Sequence, residues 1–520
     1  MLQLILGGAR SGKSKLAEQI AKDSNLEVIY IATAQAWDDE MRQRISHHQT
    51  QRLDGWRLIE EPLYLADCLK QIDQEKQVIL VDCLTLWISN LLMHENSNLQ
   101  CIECEKLLKI LPTLKSKIVL VSNETGLGVI PMGEITRKFV DESGRLHQLL
   151  GQIADKVVFC VAGFPIWRAT MNWWLEACKV PNAETKQQAE ERQLQLTKPT
   201  GSLSVLENVA VQLAALQSNS KPNVDKPWIT IFAGDHGVMA ENISAYPQAV
   251  TRQMLQNFAT GGACISVIAK EYAATLQVID CGTVGEAYQY QGVERHSIAQ
   301  GTANFAQQVA MTEQQCQQAM ALGRESVEKA IAQGASIYIA GEMGIGNTCS
   351  ASAIACFLLN EPAEQLTGVG TGIRADQLIH KKNIIQHSLE LHKNYVENDA
   401  FKALCAVGGL EIAAMTGAYI RCAQLGMPVI VDGFISSVAA LVAVRLNPEV
   451  RQWMLFGHQS AEYGHQRLLQ ELNADPLLKL NLRLGEGSGA GAALGVIKLA
   501  CSLHNNMATF AEAAVIGEKV

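Results

Sequence analysis

Long apolar runs are missing from this sequence, and so are clusters of lysine and arginine. No run reaches the roughly 18 residues that a membrane-spanning helix needs, and the longest candidate, residues 438–444, stops at Arg445. The formal net charge of −9 and the sequence pI near 5.8 argue against nucleic acid and anionic membranes as main partners. The first residues lack the basic segment and cleavage site of a signal peptide. We therefore expect a cytoplasmic protein that acts on small molecules and neither binds nucleic acid nor inserts into a membrane.

Cysteine pairs with metal-ligand spacing are also scarce. The 14 cysteines are scattered and mostly lie among apolar residues, as expected of reduced, buried thiols. Cys101 and Cys104 form the one C-x-x-C pattern, and a zinc site would need a second pair. The sequence therefore disfavours a structural zinc site.

Length and composition predict more than one globular domain. The chain has 520 residues, of which 48% are hydrophobic and 18% charged, and one hydrophobic core rarely serves so many. Composition turns polar over residues 181–198, in a stretch too short for a long flexible linker. We predict a first domain over residues 1–178 and a second over residues 179–520.

A phosphate-binding loop opens the chain. An apolar run at residues 2–6 precedes the pattern G-x-x-x-x-G-K-[ST], and residues 15–21 follow it with helical periodicity. Strand, glycine loop and helix in this order let backbone N–H groups surround a polyphosphate, while the lysine reaches its outer phosphates. The predicted nucleotide-binding residues here are Gly7, Gly8, Ala9, Arg10, Ser11, Gly12, Lys13 and Ser14.

Further apolar runs in the first domain predict a mainly parallel sheet with helices on both faces. They cover residues 28–33, 78–82, 117–123 and 156–162, with intervals long enough for helices. The second of these runs ends in Asp82, a position typical of a carboxylate on the Mg²⁺ side of a phosphate-loop enzyme. We predict Ser14 and Asp82 as Mg²⁺ ligands, although any buried strand can end in aspartate.

A polar segment at residues 38–52 contains neither glycine nor proline and is predicted to be a solvent-facing helix. On such a helix Arg44, His48 and Arg52 share one face, and His47 points about a quarter-turn away. Flanking cations suit a histidine that stays neutral and attacks a phosphate. A solvated, charged helix face is the alternative interpretation.

Together these motifs resemble the adenosylcobinamide kinase/adenosylcobinamide-phosphate guanylyltransferase family. The resemblance rests on the phosphate loop, Y-I-A-T-A at 30–34, R-I-x-x-H-x-x-x-R at 44–52 and V-S-N-E-T-G-x-G-x-x-P at 121–131. It implies phosphorylation of adenosylcobinamide and then transfer of GMP from GTP through a covalent guanylyl-histidine at His48. It also implies Mg²⁺ with GTP or ATP. The further nucleotide contacts that it implies are Thr33, Gln49, Thr50, Gln51, Arg52, Glu60 or Glu61, and Asp82, where the family often has glutamate.

Glycine-bearing turns at the ends of apolar runs dominate the second half, the usual place for sites in α/β folds. Two of these turns carry an isolated glutamate, Glu342 and Glu486, among apolar or glycine-rich neighbours. An apolar setting should raise the pKa of a carboxylate and suit it to act as a general base. For either residue alone, an exposed loop glutamate is the alternative interpretation.

The second half resembles nicotinate-nucleotide:dimethylbenzimidazole phosphoribosyltransferases over residues 185–500. The shared motifs are K-P-x-G-S-L at 198–203, G-D-H-G-V at 234–238, A-Y-P-Q-A-V-T at 245–251, G-E-M-G-I-G-N-T at 341–348, V-D-G-F-I-S-S at 431–437 and G-E-G-x-G-A at 485–490. The resemblance implies transfer of phosphoribose from nicotinate mononucleotide to 5,6-dimethylbenzimidazole, without a cofactor or metal. It assigns the general base to Glu486, with Glu342 and Lys381 in support.

The same resemblance implies two groups of binding residues. Phosphate and ribose are expected at three glycine turns, and the azole ring at three further positions. The turn residues are Gly344, Ile345, Gly346, Asn347, Gly370, Thr371, Gly372, Gly487, Ser488 and Gly489; the azole positions are Ala245, Gln253 and Met343.

The sequence thus predicts an α/β protein with an N-terminal phosphate-loop domain and a larger Rossmann-like phosphoribosyltransferase domain with added helices. We interpret it as a bifunctional, homo-oligomeric enzyme of cobalamin nucleotide-loop assembly, because the products of both halves feed one condensation. In an alternative interpretation the first domain is a nucleotide-sensing regulatory module. A phosphoribosyltransferase that uses phosphoribosyl pyrophosphate is disfavoured, because the only Asp-Asp pair, Asp38 and Asp39, neither follows an apolar strand nor precedes a Thr-Gly loop.

Overall fold

A computed structural model of the chain describes residues 1–24, 26–35, 56–126, 133–168, 173–370 and 372–516. The chain divides into two compact units, Met1–Trp173 and Trp174–Val520. The predicted helix at residues 38–52, with His48, Gln49, Thr50, Gln51 and Arg52, lies outside the described residues, as does Thr371.

The first unit is built on a seven-stranded sheet in the order β3-β2-β4-β5-β1-β6-β7. Every neighbouring pair is parallel except β6 and β7, which are antiparallel. The strands are β1 Leu2–Gly7, β2 Glu27–Ala32, β3 Arg57–Glu60, β4 Gln77–Asp82, β5 Lys117–Asn123, β6 Lys156–Val161 and β7 Phe164–Arg168. This confirms the predicted mainly parallel α/β sheet.

Apolar side chains cover both faces of this sheet. One hydrophobic cluster includes Leu4, Ile31 and Trp87, and the other includes Ile5, Ala17 and Leu80, because alternate residues of each strand point to opposite faces. The helices that supply the cover are α1 Lys13–Asp23, α2 Leu65–Ile72, α3 Leu84–Leu92, α4 Leu99–Ile110 and α5 Glu134–Ile153.

The second unit contains a six-stranded sheet in the order β10-β9-β8-β11-β12-β13, parallel throughout. Its strands are β8 Pro227–Gly234, β9 Thr275–Gly282, β10 Val293–Arg295, β11 Ile337–Met343, β12 Val429–Val431 and β13 Met454–Phe456. The chain runs outward from β8 to β10 and then returns to the other side of β8. A topological switch point therefore lies between β8 and β11, where ligands of open α/β sheets bind.

Helices surround this second sheet. They are α6 Ala183–Gln195, α7 Val205–Gln217, α8 Ala249–Thr260, α9 Cys264–Glu271, α10 Glu313–Ala332, α11 Asn347–Leu359, α12 Ala363–Leu366, α13 Ala375–Val396, α14 Ala400–Val407, α15 Leu410–Leu425, α16 Phe434–Leu446, α17 His465–Glu471 and α18 Ser488–Asn506. Within the described part of the chain, no helix combines the length and apolarity needed to cross a membrane.

The segment that opens the second unit packs into its core. Trp174 is 4% exposed, and its ring stacks on Phe401 with centroids 5.1 Å apart. The side-chain amide of Asn447 donates to the Trp174 carbonyl at 3.1 Å, and the Lys179 N–H donates to the Ala423 carbonyl at 3.0 Å. The boundary predicted between residues 178 and 179 falls inside this packed segment.

We expect a fragment of residues 174–520 to be more stable than a fragment of residues 181–520. The shorter fragment loses the buried Trp174 ring and the hydrogen bonds of its segment, which should lower the free energy of unfolding by about 3–5 kcal/mol. Urea unfolding of both fragments measures the difference. Equal free energies of unfolding would show that the segment contributes nothing to this unit.

Candidate active sites

The predicted phosphate loop connects β1 to α1. Gly12 precedes the helix with φ of +92°, a left-handed conformation that favours glycine. A Cβ on Gly7 would lie 2.6 Å from the Cys160 carbonyl, so the loop packs closely against β6. The Lys13 side chain is buried, and its Nζ donates to the Gly8 carbonyl at 3.0 Å. Strand, loop and helix therefore occur in the order that the motif predicts.

Asp82 ends β4, which is separated from β1 by β5. The Tyr30 hydroxyl donates to Asp82 Oδ2 at 3.0 Å. Burial lowers the pKa of Lys13, and the charges of Cys83 and Asp82 partly offset the decrease. The lysine charge therefore interacts with the carboxylate across the intervening strand. The Ser14 hydroxyl and the Asp82 carboxylate are oxygen donors of the kind that Mg²⁺ takes, so these residues fit that ion.

The side chains of Thr33 and Glu61 both form hydrogen bonds to backbone groups. The buried Thr33 hydroxyl donates to the Cys83 carbonyl at 2.7 Å and accepts from the Cys83 N–H at 3.0 Å. Glu61 Oε1 accepts from the N–H of Tyr64, at the start of α2, at 2.7 Å. Glu60 ends β3 and is exposed. Of the two glutamates that the motif left open, Glu60 is the exposed residue, and the Glu61 carboxylate already accepts backbone hydrogen bonds.

A polar network beside the phosphate loop was missed by the sequence reasoning. His147 Nε2 lies 2.8 Å from Ser122 Oγ, and Nδ1 lies 3.5 Å from a Glu124 carboxylate oxygen. The Glu124 N–H donates to the Gly7 carbonyl at 3.0 Å, which ties the network to the loop. Ser143 and His147 are both buried on α5 at helical spacing. That spacing was the available signal, because a histidine on the buried face of an amphipathic helix needs polar partners.

Glu342 and Glu486 meet in the second unit. Glu342 lies on β11, and Glu486, with φ of +63°, lies between two glycines at the start of α18. The Glu486 N–H donates to Glu342 Oε1 at 3.4 Å, and the Asn347 amide donates to Glu342 Oε2. A Cβ on Gly341 would lie 2.7 Å from the Glu486 carbonyl, so only glycine allows this approach. The two glutamates singled out from sequence are neighbours.

Burial perturbs both carboxylates. It raises the pKa of Glu342 to about 8, with further contributions from the charges of Glu411 and Asp432. It raises the pKa of Glu486 to about 7, with a further contribution from Asp432. The direction agrees with the expectation from their apolar sequence settings. Carboxylates with such pKa values exchange protons near neutral pH.

Two glycine turns present helix N-termini close to these carboxylates. Gly346, with φ of +99°, precedes α11, and Gly487, with φ of +75°, precedes α18. Helix N-termini attract anions through their free N–H groups. The Ser488 hydroxyl is buried and lacks a hydrogen-bond partner among the described residues. The turns therefore offer donors for an anionic ligand.

The Lys381 side chain contacts the glycine loop that begins at Gly368. Its buried Nζ donates to Thr348 Oγ1 at 2.9 Å and to the Gly368 carbonyl at 3.4 Å. A Cβ on Gly370 would lie 3.3 Å from this Nζ, and Gly372 has φ of +90°. Burial lowers the pKa of Lys381, and nearby Cys349 and Glu462 oppose the decrease. The Lys381 ammonium therefore contacts both the glycine loop and the first turn of α11.

The three residues predicted to contact the azole differ in burial. Ala245 and Gln253 are exposed, whereas Met343 is half-buried and packs against the hydrophobic core. Met254, one residue after Gln253, packs against the same core cluster. Gln253 therefore lies on the exposed side of α8, whose buried positions include Leu255, and the azole contact predicted for it stays a prediction.

Comparison with known proteins covers both units. Residues 178–515 match a family model described as phosphoribosyltransferase, and residues 3–167 match one described as cobinamide kinase / cobinamide phosphate guanyltransferase. Nicotinate-nucleotide–dimethylbenzimidazole phosphoribosyltransferase from Pseudomonas fluorescens SBW25 is 56% identical over 346 residues, which are 66% of this chain and 98% of that protein. The enzyme of the same name from Pseudomonas aeruginosa LESB58 is 53% identical, with the same coverage. A crystal structure of the Thermus thermophilus enzyme is 40% identical with a TM-score of 0.61, and covers 64% of this chain and 99% of that one.

Proposed function

We propose a specific reaction for each unit of this chain. The chain belongs to the nicotinate-nucleotide–dimethylbenzimidazole phosphoribosyltransferase family. It carries a cobinamide kinase/guanylyltransferase domain at its N-terminal end. The chain is a transferase of cobalamin biosynthesis. The proposals below name the substrates, the residues and the metal ion.

The second unit transfers the 5-phosphoribosyl group of nicotinate mononucleotide to 5,6-dimethylbenzimidazole. The bond between ribose C1′ and the pyridinium nitrogen breaks, and its electron pair leaves with nicotinate. One azole nitrogen bonds to C1′, and the proton of the other nitrogen passes to Glu486. The observation that carries this proposal is the pair of buried carboxylates, Glu342 and Glu486, at the switch point of the sheet.

Glu342 supports the base rather than replacing it. Two donors, the Glu486 N–H and the Asn347 amide, already hold its carboxylate, whereas Glu486 reaches Glu342 only through its backbone. The helix N-termini at Gly346 and Gly487 and the Lys381 ammonium bind the phosphate and ribose of the donor. The second unit performs this transfer without a metal ion.

The first unit phosphorylates adenosylcobinamide and then transfers GMP from GTP to the product. Lys13 and the N–H groups of the phosphate loop hold the nucleotide phosphates, and His48 carries the GMP covalently. Ser14 and Asp82 would hold Mg²⁺, which neutralises phosphate charge when bound. The support is the phosphate loop together with the family match over residues 3–167.

Product analysis tests both reactions. Incubation with nicotinate mononucleotide and dimethylbenzimidazole should yield α-ribazole 5′-phosphate and nicotinate by mass spectrometry. Incubation with adenosylcobinamide and GTP should yield adenosylcobinamide-GDP. A chain that makes the first product but binds GTP without turnover or covalent labelling would support the regulatory alternative for the first unit.

The rate of phosphoribosyl transfer should depend on pH through Glu486. Because the base acts as the carboxylate, turnover should rise with pH and level off above the pKa of about 7. The charge of Asp432 contributes to the raised pKa of Glu486. In the Asp432→Asn variant the rise should therefore occur at lower pH.

Asp475→Asn is the matched control, because Asp475 is an exposed carboxylate. Its pH profile should coincide with that of the unmodified chain. An unchanged profile in Asp432→Asn would contradict the assignment of the pH dependence to a Glu486 carboxylate whose pKa Asp432 raises.

A further inference from the structure

Asp235 and His236 follow β8 at the switch point, and the reaction proposed above does not use them. Their side chains are 1% and 0% exposed. Adjacent buried polar groups at such a place require partners, and the partners of His236 lead to the turn that follows Glu342.

Thr251 on α8 lies near Asp235 and contacts this turn. Burial raises the pKa of Asp235, and the Val284 N–H and the nearby Thr251 hydroxyl partly offset the increase. The Val284 bond to Asp235 Oδ2 is 2.9 Å long. Thr251 Oγ1 in turn accepts from the Ile345 N–H at 3.2 Å. The threonine hydroxyl therefore holds the backbone of residue 345.

His236 reaches the other end of the same turn. Its Nε2 lies 2.6 Å from Glu411 Oε1, and its Nδ1 lies 2.9 Å from Ser350 Oγ. Ser350 belongs to the first turn of α11, which begins at Asn347. Glu411 lies in the first turn of α15, so its carboxylate anchors the ring from a separate helix. The imidazole therefore links the start of α11 to the core of the unit.

The turn also packs directly against His236 and the end of β8. A Cβ on Gly344 would lie 3.2 Å from His236 Nε2 and would collide with the Gly234 carbonyl. Residues 344–347 include the Asn347 amide, which donates to Glu342, and the N-cap glycine of α11. A small displacement here would move both an expected phosphate site and the carboxylate beside Glu486.

We propose that Thr251 and His236 are positioning residues that clamp the turn at residues 344–347 from both ends, one through the Ile345 N–H and the other through Ser350. The clamp aligns Glu342 and the N–H groups of α11 with the bound phosphoribosyl donor. The inference rests on the proposed phosphoribosyl transfer. Neither residue touches substrate, so both act through groups that do.

Thr251→Val in the full-length chain tests the clamp, because valine keeps the shape of threonine and removes the hydroxyl. We expect kcat for phosphoribosyl transfer to fall about 10- to 100-fold, since a misplacement near 1 Å in a site has effects of this size. KM for dimethylbenzimidazole should stay within about twofold, because the azole does not contact this turn in the proposal. Thr251→Ser, which restores the hydroxyl, should recover most of the activity, and Ser350→Ala should lower kcat in the same direction.

Thr416→Val provides the matched control. Thr416 is also fully buried in this unit, but its hydroxyl bonds the carbonyls of Ile412 and Ala439. Thermal unfolding of each variant reports on any general loss of packing. If Thr251→Val and Ser350→Ala keep kcat within twofold of Thr416→Val, the clamp is overturned. If the unmodified chain makes no α-ribazole phosphate, the proposed reaction itself fails, so the two failures are distinguishable.

Discussion

Glu486→Gln should lower the turnover of phosphoribosyl transfer by about 10² to 10⁴-fold. Glutamine keeps the shape of the side chain, and its backbone N–H still donates to Glu342, but it cannot accept a proton. The azole N–H acidifies as the other nitrogen bonds to C1′, so one carboxylate held away from water suffices as base. The affinity for nicotinate mononucleotide should change little, because the proposed phosphate contacts are backbone groups and Lys381. Single-turnover kinetics with equilibrium binding of the donor separates the two effects.

Glu342→Gln is the comparison for this prediction. Its carboxylate accepts hydrogen bonds from Asn347 and Glu486 and has the higher pKa, about 8. We therefore expect a smaller loss of turnover than in Glu486→Gln. If Glu486→Gln keeps near-normal turnover and Glu342→Gln is inactive, the two roles are reversed.

Local sequence patterns were sufficient for features that depend on neighbours along the chain. The apolar run before Gly7 and the helical period after Lys13 define β1 and α1, and both elements form as predicted. Parallel strands buried on both faces are continuous apolar runs, so β4 and β5 were recognisable too. The predicted strand at residues 156–162 is confirmed as β6 with one residue fewer.

Edge strands escaped this reasoning for a physical reason. The β3 strand has only one neighbour in the sheet, and most of its residues are exposed. The β7 strand contains Pro165 and pairs only with β6, so it is an edge strand. Proline is expected at an edge, because it has no backbone N–H to donate to a second neighbouring strand. An edge strand need not be apolar on both faces, so composition does not distinguish it from a loop.

Contacts between distant residues were also beyond sequence reasoning. Glu342 and Glu486 were each selected for an apolar setting, but 144 positions separate them and only the fold brings them together. The G-D-H-G motif was visible as a pattern, yet the partner of His236 is Glu411, 175 positions away.

His48→Ala should abolish guanylyl transfer, with a loss of about 10³-fold or more, and leave phosphorylation of adenosylcobinamide measurable. In the proposed mechanism, only the second step forms a bond between a histidine nitrogen and phosphorus. Phosphoryl transfer to the substrate alcohol depends instead on positioning by the phosphate loop. Label from α-³²P-GTP, attached to the protein by an acid-labile and base-stable bond, measures the first activity. Mass spectrometry of adenosylcobinamide phosphate measures the second.

Lys13→Ala and His47→Ala complete the test. Lys13 is buried in the phosphate loop with its Nζ on the Gly8 carbonyl, so its loss should weaken both nucleotide-dependent steps. His47 is expected about a quarter-turn from the face shared by Arg44, His48 and Arg52, so His47→Ala should keep the covalent label. Loss of label in His47→Ala but not in His48→Ala would show that the helical-face argument selected the wrong histidine. If Lys13→Ala retains both activities, the phosphate loop does not take part in the mechanism, because both steps would then proceed without its buried lysine.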